Sequence, residues 1–124
     1  MIKVKSNVKL GTGFDVAHEF EGWKIAFITS AKQYGDLEVI KRHTLTDEVF
    51  VLLEGSATLY TADGDEPLEI THLEKEKLYV VEKNTWHHLK VTDKTVILVI
   101  ENSNTSKENT QTKSVFSIKG EKQC

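Results

Sequence analysis

The chain has 124 residues, a length that favours a single domain with a buried core. Hydrophobic residues make up 39% of it and charged residues 28%, which is typical of a globular protein in water. The formal net charge is −3 and Arg42 is the only arginine. Binding to nucleic acid or to an anionic membrane surface is therefore not expected.

The cysteine content and the lengths of the apolar stretches indicate the cellular compartment of the protein. The single cysteine, Cys124, cannot form an intrachain disulfide and favours a reducing environment. The first ten residues lack the long apolar run of a signal peptide. The longest apolar stretch, residues 96–100, is too short to span a bilayer. We therefore expect a cytoplasmic protein.

Short candidate strands separated by turn residues dominate the chain, and no segment shows a long helical period. The strand candidates are residues 23–29, 36–43, 49–54, 56–61, 68–72, 78–82, 87–91 and 95–100. Asp63-Gly64 is the strongest hairpin signal between two of them. Eight short strands in this rhythm predict an all-β sandwich or small barrel.

The organisation predicted from these patterns is one barrel domain followed by a tail. We assign residues 1–101 to the domain and residues 102–124 to a polar C-terminal tail. Within the tail, residues 102–114 have the composition of a mobile linker. Residues 115–118 alternate weakly and form either a last strand or part of a frayed end.

Residues 35–55 form the most informative stretch. Alternation along its first strand places Lys41 and His43 on one face, and Glu48 follows at the start of an almost wholly apolar strand. Protein interiors avoid such titratable groups unless they are paired. These three side chains are therefore expected to hold a metal, to hold each other or to do chemistry.

The spacing of this stretch resembles the first motif of the cupin superfamily. The sequence Gly35-x5-Lys41-x-His43-x4-Glu48-x6-Gly55 matches the pattern G-x5-H-x-H-x3,4-E-x6-G at every position except one. Lys41 stands where the pattern has its first histidine. That histidine is a metal ligand in the family, so its replacement by Lys41 bears directly on whether the site binds a metal.

The second cupin motif, G-x5-P-x-G-x2-H-x3-N, aligns with residues 76–91. Its histidine is present as His87, and Asn84 replaces a glycine in a left-handed turn that asparagine can also adopt. The resemblance spans residues 23–100. It implies a small single-domain cupin with an antiparallel jelly-roll β-barrel, a site inside the barrel and, as is frequent in the family, a homodimer.

The resemblance also implies which residues would hold a metal, namely His43, Glu48 and His87. Two imidazoles and one carboxylate suit iron, zinc, nickel or manganese and leave positions open for a substrate. Lys41 argues against such an ion, because two unit positive charges 4 Å apart repel by about 4 kcal/mol at an effective dielectric of 20. The Lys41 ammonium can instead take the place of the metal and pair with Glu48.

Three functions stay open at this point. A small-molecule-binding cupin without a tightly bound metal, our leading interpretation, would hold a small polar or anionic metabolite with Lys41, His43, His87 and Trp86. An enzyme would use either His43, Glu48 and His87 around a metal, as a dioxygenase, isomerase or lyase, or Lys41 and Glu48 for acid–base or Schiff-base chemistry. An inert barrel would keep these groups only as a structural ion pair with satisfied histidines. The fold alone does not choose among them.

Two aromatic positions near the second motif complete the expectations. Trp86 is a candidate for the mouth of the barrel, with a packed core position as the alternative. His88 follows His87 on a strand, so it points to the opposite face and is expected to be exposed.

Overall fold

The computed structural model describes residues 1–6, 11–64 and 66–115. That part of the chain contains ten strands and two short 3-10 turns, at Lys32–Tyr34 and Lys107–Asn109. The strands are β1 (Phe14–Phe20), β2 (Trp23–Thr29), β3 (Val39–His43), β4 (Glu48–Glu54), β5 (Ala57–Ala62), β6 (Glu69–His72), β7 (Leu78–Val81), β8 (Trp86–Val91), β9 (Val96–Asn102) and β10 (Thr110–Ser114). None of the helical segments among these residues is long and apolar enough to cross a membrane.

The strands form two five-stranded antiparallel sheets. Sheet A has the order β1-β2-β9-β4-β7 and sheet B the order β10-β3-β8-β5-β6. Both sheets contribute apolar side chains to one core, including Ile28, Phe50 and Ile97 from sheet A and Leu59 and Leu89 from sheet B. Alternation along each strand produces this arrangement, since every second residue points inward. The all-β jelly-roll prediction is confirmed.

The segment after β9 differs from the expected linker. It contains β10, which pairs with β3 in a register that runs from Thr110 opposite His43 to Ser114 opposite Val39. A strand at a sheet edge needs no apolar face, so its polar sequence gave no signal. Val115 continues from this strand and donates its backbone N–H to the Glu38 carbonyl. Residues 116–118 of the predicted last strand lie outside the described residues.

The outer face of sheet A is unusually apolar. Two rows of side chains cross four adjacent strands in register, Phe27–Leu98–Val51–Leu78 and Ile25–Ile100–Val49–Val80. Leu78 is 62% exposed and Val80 is 51% exposed. Phe20 and Trp23 pack against each other at the edge of the same face. Exposed apolar surface of this extent commonly marks an interaction site.

Candidate metal centre

Three polar side chains from both sheets meet inside the barrel. His43 ends β3 and His87 lies on β8, both in sheet B, while Glu48 begins β4 in sheet A. Their donor atoms all lie within 4.8 Å of one another. Oε1 of Glu48 is 3.3 Å from Nε2 of His43 and 3.2 Å from Nε2 of His87. Glu48 and His87 are buried and His43 is half-buried.

The backbone conformation explains the residue type at two motif positions, Gly55 and Asn84. Gly55 has a φ of +83°, and a Cβ there would lie 2.3 Å from Oγ1 of Thr95, so no larger residue fits. Asn84 adopts the left-handed turn expected of it, with φ of 70°. Its backbone N–H donates to the His43 carbonyl at 2.8 Å. This bond ties the turn before His87 to the end of β3.

The ring nitrogens of His43 and His87 that face away from Glu48 also have hydrogen-bond partners. Nδ1 of His87 lies 3.0 Å from the Thr85 carbonyl oxygen. A carbonyl only accepts, so this nitrogen carries the proton and Nε2 of a neutral His87 presents a lone pair to Glu48. Nδ1 of His43 lies 2.9 Å from Oγ1 of Thr110 on β10. Such outer contacts fix imidazole orientation in metal sites.

The spacing of the donors fits a divalent transition metal. Bonds of about 2.1 Å from one ion to nitrogen and oxygen ligands place neighbouring donors about 3.0 Å apart in octahedral geometry and about 3.4 Å apart in tetrahedral geometry. The two separations between imidazole nitrogen and carboxylate oxygen are 3.3 and 3.2 Å. Each imidazole nitrogen therefore lies at a distance from the carboxylate oxygen that suits two ligands of one such ion.

Without a metal the same groups stabilise one another as ions. Burial of Glu48 disfavours its carboxylate, but hydrogen bonds from His43 and His87 outweigh this and hold its pKa well below the usual 4.5. Burial of His43 likewise disfavours its charged form, but the hydrogen bond to Glu48 and the charge of that carboxylate raise its pKa above 6.5. A proton then occupies the space between imidazole and carboxylate that a metal would fill.

A second buried carboxyl group, absent from the sequence predictions, lies next to the first. Glu101 on β9 is directly opposite Glu48 in the sheet register and is 6% exposed. Burial and the nearby charge of Glu48 raise its pKa to about 7, against the opposing effect of Lys24. Its Oε1 lies 3.4 Å from the Lys24 ammonium. Oε2 has no hydrogen-bond partner in the described part of the chain.

The three donors and Glu101 line a cavity of about 190 Å³. The rest of its wall is mostly apolar and includes Phe14, Ile28, Tyr34, Phe50 and Leu89. Burial raises the pKa of the Tyr34 phenol, so this group stays neutral and able to donate a hydrogen bond at physiological pH.

The predicted Lys41–Glu48 ion pair is wrong. Lys41 lines the cavity, but its side chain is exposed. Glu48 is enclosed and takes its hydrogen bonds from His43 and His87. A charged ammonium has more favourable hydration at the opening than it would gain from entering a buried site.

Trp86 is not a ligand-lining residue of this cavity. It is adjacent to His87 on β8 and therefore points to the outer face of sheet B, where it packs with Ile40 and Ala62. The cations of Arg42 and Lys113 lie 4.7 and 4.3 Å from its ring centre. These contacts make Trp86 part of a small outer cluster that fixes β3 and β10 against β8.

His88 also differs from expectation. It lies on the face opposite His87, but it is half-buried rather than exposed. Its Nε2 bonds to the Gly35 carbonyl at 2.7 Å. Burial lowers its pKa despite that bond. The loop that begins the first motif thus covers this histidine.

Comparison with solved structures identifies the fold. A Streptomyces PAC13 variant with uridine matches with a TM-score of 0.65 at 12% sequence identity, over 92% of this chain and 93% of that one. A cupin-2 domain protein from Shewanella frigidimarina matches with a TM-score of 0.60 at 21% identity, over 80% and 93% of the two chains. The chain has the cupin fold.

A further cupin-type neighbour, KdgF from Halomonas sp., gives a TM-score of 0.61 at 12% identity over 83% of this chain and 88% of that one. Pac13 is described as a nucleoside dehydratase. No protein-family model matches the sequence, and no curated protein matches it. At these identities the neighbours establish the cupin fold alone, so function has to be argued from the side chains.

Proposed function

We propose that this cupin binds one divalent transition-metal ion through His43, Glu48 and His87 and presents it to a small polar or anionic metabolite. The observation that carries the proposal is the convergence of two imidazole nitrogens on one carboxylate oxygen at 3.2 and 3.3 Å. The sequence-based objection to a metal was a Lys41 ammonium in the same place. Because Lys41 is exposed and Glu48 pairs with imidazoles, the ammonium does not take that place, and water screens its repulsion of a metal ion.

The cavity limits the size of the metabolite. The cavity has a volume of about 190 Å³. It is smaller than the pockets that enclose drug-sized ligands, which begin at about 300 Å³. The cavity therefore suits a small molecule, or one end of a longer one, which would complete the coordination that three protein ligands leave open.

Charge favours an anionic group on that molecule. A divalent cation on two neutral histidines and one glutamate leaves a net positive centre. Lys41 adds a further positive charge at the opening. Glu101, with its pKa raised to about 7, offsets this only in part. An oxyanion in the cavity is therefore attracted by Lys41 and by the metal centre.

An enzyme is the second candidate, and Glu101 is the observation that favours it. Its carboxyl lies in the cavity wall and has a pKa raised to about 7 by burial and by the charge of Glu48, so it can exchange a proton with a bound molecule. A bound metal would supply Lewis-acid polarisation of an oxygen on that molecule. A lyase, isomerase or dioxygenase reaction would fit these parts, and the nucleoside dehydratase among the fold neighbours supports the lyase class by analogy of fold only.

The proposal is tested by titrating the metal-free full-length protein with cobalt(II) and recording visible absorption. We expect saturation at one ion per chain with the intense bands of a low-symmetry site. His87→Ala should abolish these bands, whereas His72→Ala, at an exposed position on β6, should keep them. Absence of a saturable signal in the wild-type protein would overturn the proposal. Location in the cytoplasm and homodimerisation stay predictions from the sequence.

A further inference from the structure

A groove lies next to the candidate metal centre, at the edge of sheet B, and shares His43 with it. It has a volume of about 480 Å³ and is lined by Lys41, His43, Lys107, Thr110 and Thr112. Register explains the grouping, because Thr110 lies opposite His43 and Thr112 lies opposite Lys41 across the β10–β3 pair. These four side chains therefore project from the same face of the sheet. Lys107 reaches the groove from the 3-10 turn before β10.

The groove adjoins the inner cavity. Lys41 and His43 line both spaces, so a molecule in the groove lies beside His43, one of the candidate metal ligands. A ligand longer than the inner cavity can hold would extend into this groove.

Positive charge in the groove is uncompensated. No carboxylate contributes to its lining, and no ion pair to Lys41 or Lys107 occurs in the described part of the chain. Other lysines are neutralised, as Lys90 is by Asp36 at 3.0 Å. Two unpaired ammonium groups flanked by two threonine hydroxyls provide the donors that an oxyanion requires.

We infer that this groove binds an oxyanion group, a phosphate or a carboxylate, at the far end of the molecule whose near end reaches the metal centre. The inference rests on the proposed function for the position of the near end, and it adds Lys41 and Lys107 as the residues that determine specificity. The bound molecule is therefore expected to have two polar ends. One end is small enough for the inner cavity, and the other is anionic.

The first experiment tests the groove without any metal. Inorganic phosphate is titrated into EDTA-treated full-length protein at low ionic strength, and binding is followed by chemical-shift changes in NMR spectra. We expect the shifts to map to β3 and β10, and both Lys41→Met and Lys107→Met to weaken binding about fivefold. Lys75→Met removes the same charge at an exposed position far along the chain and should leave binding unchanged.

The second experiment separates the two kinds of oxyanion in zinc-loaded protein. Lactate, malate and 3-phosphoglycerate share a hydroxy acid end, and the last two add a carboxylate or a phosphate. Calorimetry should show tighter binding of malate or of 3-phosphoglycerate than of lactate. Lys107→Met should remove that advantage without changing lactate affinity. If the carboxylate of malate increases affinity more, the groove binds a carboxylate. If the phosphate of 3-phosphoglycerate increases it more, the groove binds a phosphate.

The outcomes distinguish this inference from the metal proposal. Phosphate binding that depends on Lys107 in a protein that takes up no zinc would support the groove and overturn the metal. Zinc binding with equal phosphate affinity in wild type, Lys41→Met and Lys107→Met would support the metal and overturn the groove. Equal weakening by Lys75→Met would also overturn it, because the effect would then be one of net charge.

Discussion

Nε2 of His87 lies 3.2 Å from Oε1 of Glu48 while its other ring nitrogen faces the Thr85 carbonyl. In a neutral imidazole with that tautomer, two lone pairs would oppose each other across this distance. A proton or a metal ion between the two atoms would relieve this opposition. The carboxylate and the two imidazoles therefore favour a positive charge at this point, supplied by a proton or by a metal ion.

Lys41→Met tests the position of the lysine. Because Lys41 is exposed and Glu48 is satisfied by imidazoles, we expect the free energy of unfolding to change by less than about 0.5 kcal/mol. Zinc affinity should rise by less than about fivefold, since a screened charge near the site is removed. Urea denaturation and competitive zinc titration measure the two effects. A loss of more than about 2 kcal/mol would instead mean that Lys41 pairs with Glu48.

Thr110→Val tests whether β10 positions the site. The Thr110 hydroxyl contacts Nδ1 of His43 at 2.9 Å, and loss of such an outer contact typically weakens metal binding about tenfold or more. We therefore expect zinc affinity to fall about tenfold, as measured by competition with a chromogenic chelator. Thr112→Val, on the same strand but opposite Lys41 rather than His43, should leave zinc affinity unchanged. Equal zinc affinity in both variants would mean that β10 has no positioning role.

The pH dependence of stability in EDTA-treated protein should reveal Glu101. Its pKa is raised from 4.5 to about 7, so between these values the folded protein retains a proton that the unfolded chain releases. The free energy of unfolding then falls as pH rises through this range. The raised pKa of His43 acts in the same direction above 6.5, while the lowered pKa of Glu48 costs stability only below 4.5.

We expect a loss of about 1 to 2 kcal/mol between pH 5 and 7.5 after allowing for solvent screening. Glu101→Gln should remove most of this slope in urea denaturation curves taken across the range. If wild type and variant showed the same slope, Glu101 would be ionised in the folded protein and would not hold a proton there.

The strand pattern was predictable where apolar alternation marks a buried face. Residues 23–29 were predicted as a strand and coincide with β2 at both ends. β1 was missed because Phe14–Phe20 mixes acidic residues and a histidine with apolar ones and contains a register shift after Val16. β10 was missed because Thr110–Ser114 has no apolar side chain, and its hydrogen bonds to β3 are visible only in three dimensions.

The candidate site was predictable in part. Motif spacing predicted that His43 and Glu48 would share an interior, and His87 was aligned with them only through the family resemblance. The direction of the Lys41 side chain depends on the competition between hydration and burial, which spacing does not reveal. Glu101 had a usable signal, because Ile97, Val99 and Glu101 are in one alternating phase of an apolar strand and the last of them is a carboxyl group.

The outer face of sheet A predicts self-association. Its two apolar rows include Val80, 51% exposed, on the edge strand β7. We expect a dimer by light scattering and conversion to a monomer by Val80→Lys, since a lysine would bury a charge in the interface. Ile70→Lys, at a 60% exposed position on β6 in the other sheet, is the matched control and should stay dimeric. A monomeric wild-type protein at high concentration would refute this expectation.

Metal content of untagged protein is the most direct test of the central claim. The protein is purified without metal-affinity resin, incubated in turn with iron(II), zinc, nickel and manganese, desalted and analysed for elements. The account predicts about one ion per chain for at least one metal, retained by Glu69→Gln at an exposed position and lost by Glu48→Gln. Absence of stoichiometric metal from the folded wild-type protein under all four conditions would contradict it.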